Sequence, residues 1–209
     1  VGTIETVPLL DEPEQLVVAA GLREGRREAW ARLYDAYSLD VWRYVARLMG
    51  PEAAAVADAV QETFLEAARS AARFDPDRGT LWTWLTGIAH HRVAAHWRQA
   101  ERIATLRKLV ESRAAEIRRL LDAAESHVDS PLGTWEQHDL AELVRSALAD
   151  LPADYAALLT AKYLDDRSLA ELSIQCGGSI DAVKSKLARA RREFRAKFER
   201  LTREPSHLT

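Results

Sequence analysis

Cysteine is almost missing from this chain: Cys176 stands alone among 209 residues. It cannot close an internal disulfide, and no Cys/His group stands at zinc-ligand spacing, so a disulfide-stapled secreted scaffold and a structural zinc module are both excluded. Glycine and proline are sparse, at nine and seven, and between them apolar residues return every three or four positions with almost no period-two alternation. That pattern leaves little room for sheet and points to an all-α fold. No apolar run approaches the roughly 18 to 20 residues that span a bilayer. Basic residues are absent from the first 20 positions, which hold Glu5, Asp11, Glu12 and Glu14, whereas a signal peptide starts with positive charge. The expectation is a soluble, cytoplasmic protein without membrane insertion. Also absent are a glycine-rich phosphate loop after a strand, a nucleophile elbow and a convergent pair of carboxylates. Nothing therefore points to catalysis, a cofactor or a metal.

What is present is helix punctuation. The spacing predicts helices over about Glu14–Leu22 and Arg26–Met49, the second with an apolar stripe of Leu33, Tyr37, Val41, Tyr44, Val45 and Leu48 that ends at Gly50-Pro51. A third runs from Pro51 to about Arg73, with Val56, Val60, Phe64, Ala67 and Ala71 inward. The turn Phe74-Asp75-Pro76-Asp77-Arg78-Gly79 follows, and Thr80 is set to cap a fourth helix to about Arg98. Helical spacing persists from Glu101 to about Glu125, and residues 126–133 have linker chemistry. The second half reads as four shorter helices: Trp135–Asp150, Pro152–Tyr163, Ser168–Cys176 and Ile180–Arg203. The expected architecture is two helical domains, 14–100 and 135–203, joined by a partly helical linker over 101–134. Gly177-Gly178-Ser179 between the last two helices has the layout of a helix-turn-helix, whose second helix enters the DNA major groove.

The net charge of −3 argues at first against nucleic acid, but the charge is segregated. Lys184 to Arg203 holds nine Lys and Arg against two Glu, and Arg92 to Arg119 holds eight against three. Asp122 to Asp154, between them, holds eight acids against Arg145 alone. Two basic segments on two domains suggest one duplex touched at two places, because basic patches bind phosphate by releasing counterions. In the last helix Ile180, Val183, Leu187, Ala190, Phe194, Phe198 and Leu201 share a core-facing stripe. Asp181, Ser185, Arg189 and Arg192 are left opposite it and Lys184 and Lys186 on its flanks, a set suited to base edges and phosphates.

These residues resemble the bacterial RNA polymerase sigma factors of the extracytoplasmic-function (ECF) class, which carry regions 2 and 4 only. Asp58-Ala59-Val60-Gln61-Glu62-Thr63-Phe64-Leu65 looks like the part of region 2 that binds core polymerase. The Phe74–Gly79 turn, Trp84-Leu85 and Ile88-Ala89 match the signature after it. Leu148, Leu151-Pro152 and the run Val183 to Arg191 look like region 4. The resemblance implies core binding through Asp58, Gln61, Glu62 and Leu65, with Phe64 packed inward. It implies −10 promoter contact through His91, Arg92, His96, Trp97 and Arg98, and −35 contact through Asp181, Lys184, Ser185, Lys186, Arg189 and Arg192. It also implies core RNA polymerase, promoter DNA and an anti-sigma factor as partners, and a connector threading along the polymerase. The chain departs from the family pattern with Ala89-His90-His91 where many members read Ala-Arg-Asn, with Ala95 in place of an Asp, and with Ser173 where Ala is common.

Other readings stay open on the residues alone. A self-sufficient helix-turn-helix regulator with an N-terminal dimerisation or sensor domain predicts a symmetric dimer, and a helical adaptor predicts no salt-dependent DNA affinity. His90, His91 and His96 also read as ordinary helix-surface residues; His91 and His96, five apart, do not share a helical face. Trp82 and Trp84, two apart, cannot both face inward. Trp84 is expected in the core, leaving Trp82 for contact with DNA or a partner. Cys176 reads as a small buried hydrophobe.

Overall fold

A computed structural model describes residues 10–100 and 135–203, and every regular element among them is helical. Helix α1 is Glu12–Arg23, α2 Arg27–Met49 and α3 Ala53–Ser70. Two short 3-10 turns, Ala71–Arg73 and Pro76–Arg78, lead into α4, which runs through residues 81–100. The second group is α5 Trp135–Ala149, α6 Ala153–Tyr163, α7 Leu169–Cys176 and α8 Ile180–Arg203. The expected helical extension and linker over 101–134 lie outside the described residues.

Helix starts follow their capping chemistry. At α1, Asp11 Oδ1 accepts from the Glu14 amide at 2.9 Å and Glu14 Oε2 accepts from the Asp11 amide at 3.1 Å, so two otherwise orphaned donors are satisfied reciprocally. Ser168 and Glu171 repeat the device at α7, at 3.2 and 2.7 Å. Thr80 caps α4, its Oγ1 accepting from the Thr83 amide at 3.1 Å. Gly21 lets α1 cross α2 closely, because a Cβ there would stand 2.7 Å from Ala29 Cβ.

The α2 stripe read from the sequence is buried throughout, none of its six residues being more than 2% exposed. It packs with Val56, Val60 and Ala67 of α3 and with Leu81, Leu85, Ala89 and Val93 of α4. In the second group Leu148, Leu151, Leu158, Leu172, Val183, Leu187 and Ala190 form the centre. Ile180 departs from its expected inward place: at the first position of α8 it is 42% exposed, whereas Val183, next on the stripe, is buried. The two groups are not separate bodies, since α2 packs against both α5 and α6 and one buried cluster runs through both.

The close α1–α2 crossing gives a direct expectation. Gly21→Val should cost about 1 to 3 kcal/mol through overpacking, read as a lower Tm by circular dichroism; an unchanged Tm would contradict the crossing.

Candidate nucleic-acid interface

Burial of Val56, Ala59, Val60 and Thr63 turns the other side of α3 outward, and Asp58, Gln61, Glu62 and Leu65 are all exposed there. Two aromatic rings extend this acidic face. Phe64 is half-buried, with its ring centroid 5.0 Å from that of Tyr34, and Tyr34 itself is 54% exposed. Tyr34 was not singled out from the sequence. Its signal was available: it sits one position off the α2 stripe, where a large ring cannot reach the core.

Helix α4 presents its set unevenly. His91 and Arg98 are exposed, whereas Arg92, His96 and Trp97 are half-buried. Arg92 reaches back to α3, 3.4 Å from Glu62 and 3.6 Å from Glu66, so the expected promoter residue and the expected polymerase residue are two ends of one ion pair. Trp97 Nε1 donates to the Leu48 carbonyl at 3.0 Å, satisfying a carbonyl at the C-terminal end of α2. His96 stands edge-on to the Trp97 ring at 6.2 Å.

The two tryptophans reverse the expected assignment. Trp82 is 4% exposed, between the rings of Tyr37 and Tyr44 at 6.5 and 6.4 Å, while Trp84 is half-buried against Phe74 at 5.0 Å. The reason is tertiary. Beyond the two α2 rings, Trp82 shares a small cavity with Ala157, Thr160 and Ala161 of α6, so both halves enclose the ring. His90 is likewise buried rather than a surface residue. Cys176 is half-buried, and burial pushes its thiol up to about 11, away from thiolate chemistry.

In the helix-turn-helix, Gly177 and Gly178 have φ of +73° and +105°, conformations that side chains resist, and Ser179 Oγ accepts from the Ala182 amide at 3.2 Å. Asp181, Lys184, Ser185, Arg189 and Arg192 are exposed and Lys186 is half-buried. Lys184 pairs with Asp181 at 3.0 Å and Lys186 with Asp154 at 2.9 Å. Further along, Lys197 and Arg200 both hold Asp150, at 2.7 and 2.9 Å, and Arg191 donates to the Tyr163 hydroxyl at 3.0 Å.

Polar contacts stitch the seam between the groups. Arg167, only 18% exposed at its side chain, holds Asp40 of α2 at 3.2 Å. Arg47 donates to the Leu164 carbonyl at 3.0 Å and approaches Asp165 at 3.4 Å. Thr80 Oγ1 donates to the Gln175 carbonyl at 2.8 Å, bringing the start of α4 against the helix-turn-helix. His90 lies between the Tyr44 hydroxyl at 2.9 Å and the Leu151 carbonyl at 2.8 Å.

Comparison with known proteins finds two family matches along the chain. Residues 33–103 match Sigma-70 region 2, and residues 141–194 match Sigma-70, region 4. The chain is 32% identical over 187 residues to the ECF RNA polymerase sigma factor SigC of Mycobacterium tuberculosis, covering 89% of this chain and 92% of that one. It is 29% identical over 180 residues to BldN, an ECF RNA polymerase sigma factor of Streptomyces coelicolor, covering 86% and 64%. Among solved structures, CnrH in complex with the cytosolic domain of CnrY matches over 88% of this chain and 97% of that one, at 21% identity and a TM-score of 0.46. RpoE of Bartonella quintana, in complex with the anti-sigma factor NepR, matches over 90% and 96%, at 20% identity and a TM-score of 0.33.

The Arg167–Asp40 pair makes the seam testable by charge exchange. Arg167→Asp or Asp40→Arg alone should enlarge the radius of gyration in small-angle scattering, by leaving a like-charge contact where a shielded pair stood. The double exchange should restore it; equal radii for all three would show that the pair does not hold the seam.

Proposed function

The chain belongs to the ECF class of RNA polymerase sigma factors, which bind core polymerase and direct promoter-specific initiation, and we propose how its parts divide that work. Residues 14–100 act as region 2, 101–134 as connector and 135–203 as region 4. Asp58, Gln61, Glu62 and Leu65, extended by exposed Tyr34 and half-buried Phe64, form the core-binding face, where exposed acids beside an aromatic pair suit a basic, partly apolar partner. His91 and Arg98 lead the −10 contact, with Arg92, His96 and Trp97 behind them. Asp181, Lys184, Ser185, Lys186, Arg189 and Arg192 read the −35 element from the N-terminal half of α8. Recognition is by contact and strand capture in the cytoplasm, without covalent chemistry.

The observation that carries most of this reading is the closed seam. Elements named −10 and −35 lie about 25 base pairs apart, about 85 Å along straight duplex at 3.4 Å per pair. From the Thr80–Gln175 contact, helical rise and the short turn allow under roughly 70 Å between Arg98 and Arg192 even with the turn fully stretched. A chain closed in this way cannot occupy both elements, so we take it as the resting form, opened when polymerase separates the two faces. An anti-sigma factor bridging the seam would hold it shut.

Run-off transcription with purified core polymerase tests the function, and absence of initiation on every selected promoter would sink it. Asp58→Lys with Glu62→Lys should weaken co-purification with core at least about tenfold, about 1.4 kcal/mol, with an unchanged helical spectrum. On the assembled holoenzyme, Arg189→Ala and Arg192→Ala should each lower the slope of log affinity against log salt by about 0.9. Arg200→Ala, whose guanidinium holds Asp150, should leave that slope unchanged.

A further inference from the structure

The residue at the centre of the seam is a histidine, and its bonding admits one protonation state. Leu151 offers a carbonyl, which only accepts, so His90 Nε2 carries the hydrogen and donates to it at 2.8 Å. Neutral Nδ1 is then an acceptor and takes the Tyr44 O–H at 2.9 Å. Every polar atom of the pair is satisfied, and both rings are almost fully buried. A proton added at Nδ1 turns it into a donor. The Tyr44 oxygen could accept that bond, but its own hydrogen would lose its acceptor inside the core, a penalty of the kind that buried orphan donors incur.

We propose that His90 is a proton-sensitive latch: neutral, it fastens α2 and α4 to the turn before α6, and protonated, it releases the second helical group from the first. The inference rests on reading the closed chain as the resting form. Opening exposes the imidazole to water, where the charge is solvated and Tyr44 regains a partner.

The charges around the ring do not compensate for its burial. From α2 the facing group is Tyr44, a phenol that burial keeps protonated. From α4, His91 adds repulsion toward a second positive charge. From α6, Asp154 attracts it, but that carboxylate is already held by Lys186 of α8 at 2.9 Å. Asp150, at the end of α5, is held by Lys197 and Arg200. Burial, the largest influence, accordingly keeps the imidazole below its ordinary 6.5, with the Leu151 and Ala149 backbone carbonyls pulling the other way. The closed state thus binds fewer protons than the open one. Its advantage is complete above 6.5 and is lost as pH falls below that value.

The rest of the seam is built to part. Trp82 Nε1, Thr160 Oγ1 and Gln175 Oε1 are buried side-chain atoms with no hydrogen-bond partner among the described residues, and all three residues line one small cavity between the groups. Separation offers water to each of them, which lowers the cost of opening.

The full-length chain is measured by small-angle scattering from about pH 8 to about pH 5.5, the range in which histidine titrates. The radius should be flat above about pH 7.5 and grow below, with the open-to-closed ratio rising by at most about tenfold per pH unit, the limit for one proton. His90→Gln, which can donate and accept in the same places without titrating, should stay compact throughout with unchanged helicity. A flat wild-type radius, or acid opening that persists in compact His90→Gln, overturns the latch. Should His90→Gln be open already near neutral pH, the NMR titration of His90 decides. A midpoint below the ordinary value that rises in Arg167→Asp supports the latch, and one midpoint in both chains overturns it. Failure of run-off transcription at every pH would sink the sigma reading instead, leaving the scattering result standing.

Discussion

The relay from Tyr44 through His90 to the Leu151 carbonyl is where the two halves of this chain become one fold. It starts on α2, passes through α4 and ends on the turn that opens α6, so three elements are fixed by one imidazole. Around it, ion pairs and hydrogen bonds cross the seam beside a buried apolar cluster common to both groups, and the polar contacts are the part that water can replace. Each hydrogen bond contributes a net 0.5 to 1.5 kcal/mol, and three buried polar atoms there lack partners. The polar part of the seam therefore contributes a few kcal/mol, the scale on which a partner's binding energy can open or keep it.

The same economy governs the first half. Arg92 stands between the acidic face of α3 and the far end of α4, paired with Glu62 and Glu66. At 37% exposure for Arg92 and 57% for Glu62, the pair stabilises the fold by no more than about 1 kcal/mol. It can therefore be exchanged without unfolding anything. Whatever takes Glu62 leaves Arg92 with Glu66 alone, so the two faces are coupled through one guanidinium, and their separation into independent sites holds only for residues such as Asp58 and Arg98 at the outer ends.

Periodicity made most of the fold legible. The six-residue stripe of α2, the Asp75-Pro76 turn and the Gly177-Gly178 punctuation each follow from chemistry within one helix or one turn, and each stands where the residues imply. The errors fall at the seam. Trp82 packs against Tyr37 and Tyr44 of α2 and His90 bonds Tyr44, and both are closed in further by contacts from the second group. No windowed reading of residues 81–100 contains that information, because the covering residues, Ala157, Thr160 and Ala161, are some seventy positions away. Ile180 errs in the opposite sense, being placed inward by spacing and left exposed by geometry. Tyr34 was within reach of the same reasoning that found α2.

The basic last helix is less available to DNA than its composition implies. Of its nine cations, Lys184, Lys186, Lys197 and Arg200 are held by carboxylates and Arg191 by a tyrosine hydroxyl. Among the residues whose side chains are described, Arg189, Arg192 and Arg195 carry no ion pair. Phosphate contacts from these three arginines alone correspond to a salt slope of about −2.7, a loss of some fortyfold in affinity between 50 and 200 mM salt, and each cation that exchanges its surface carboxylate for phosphate adds about 0.9 to the slope. At its unpaired arginines alone, such a helix would suit orientation and base contact more than grip. The affinity that holds the promoter must come largely from elsewhere in the complex, and a net charge of −3 on the free chain then serves specificity: without polymerase, the chain has little reason to stay on DNA.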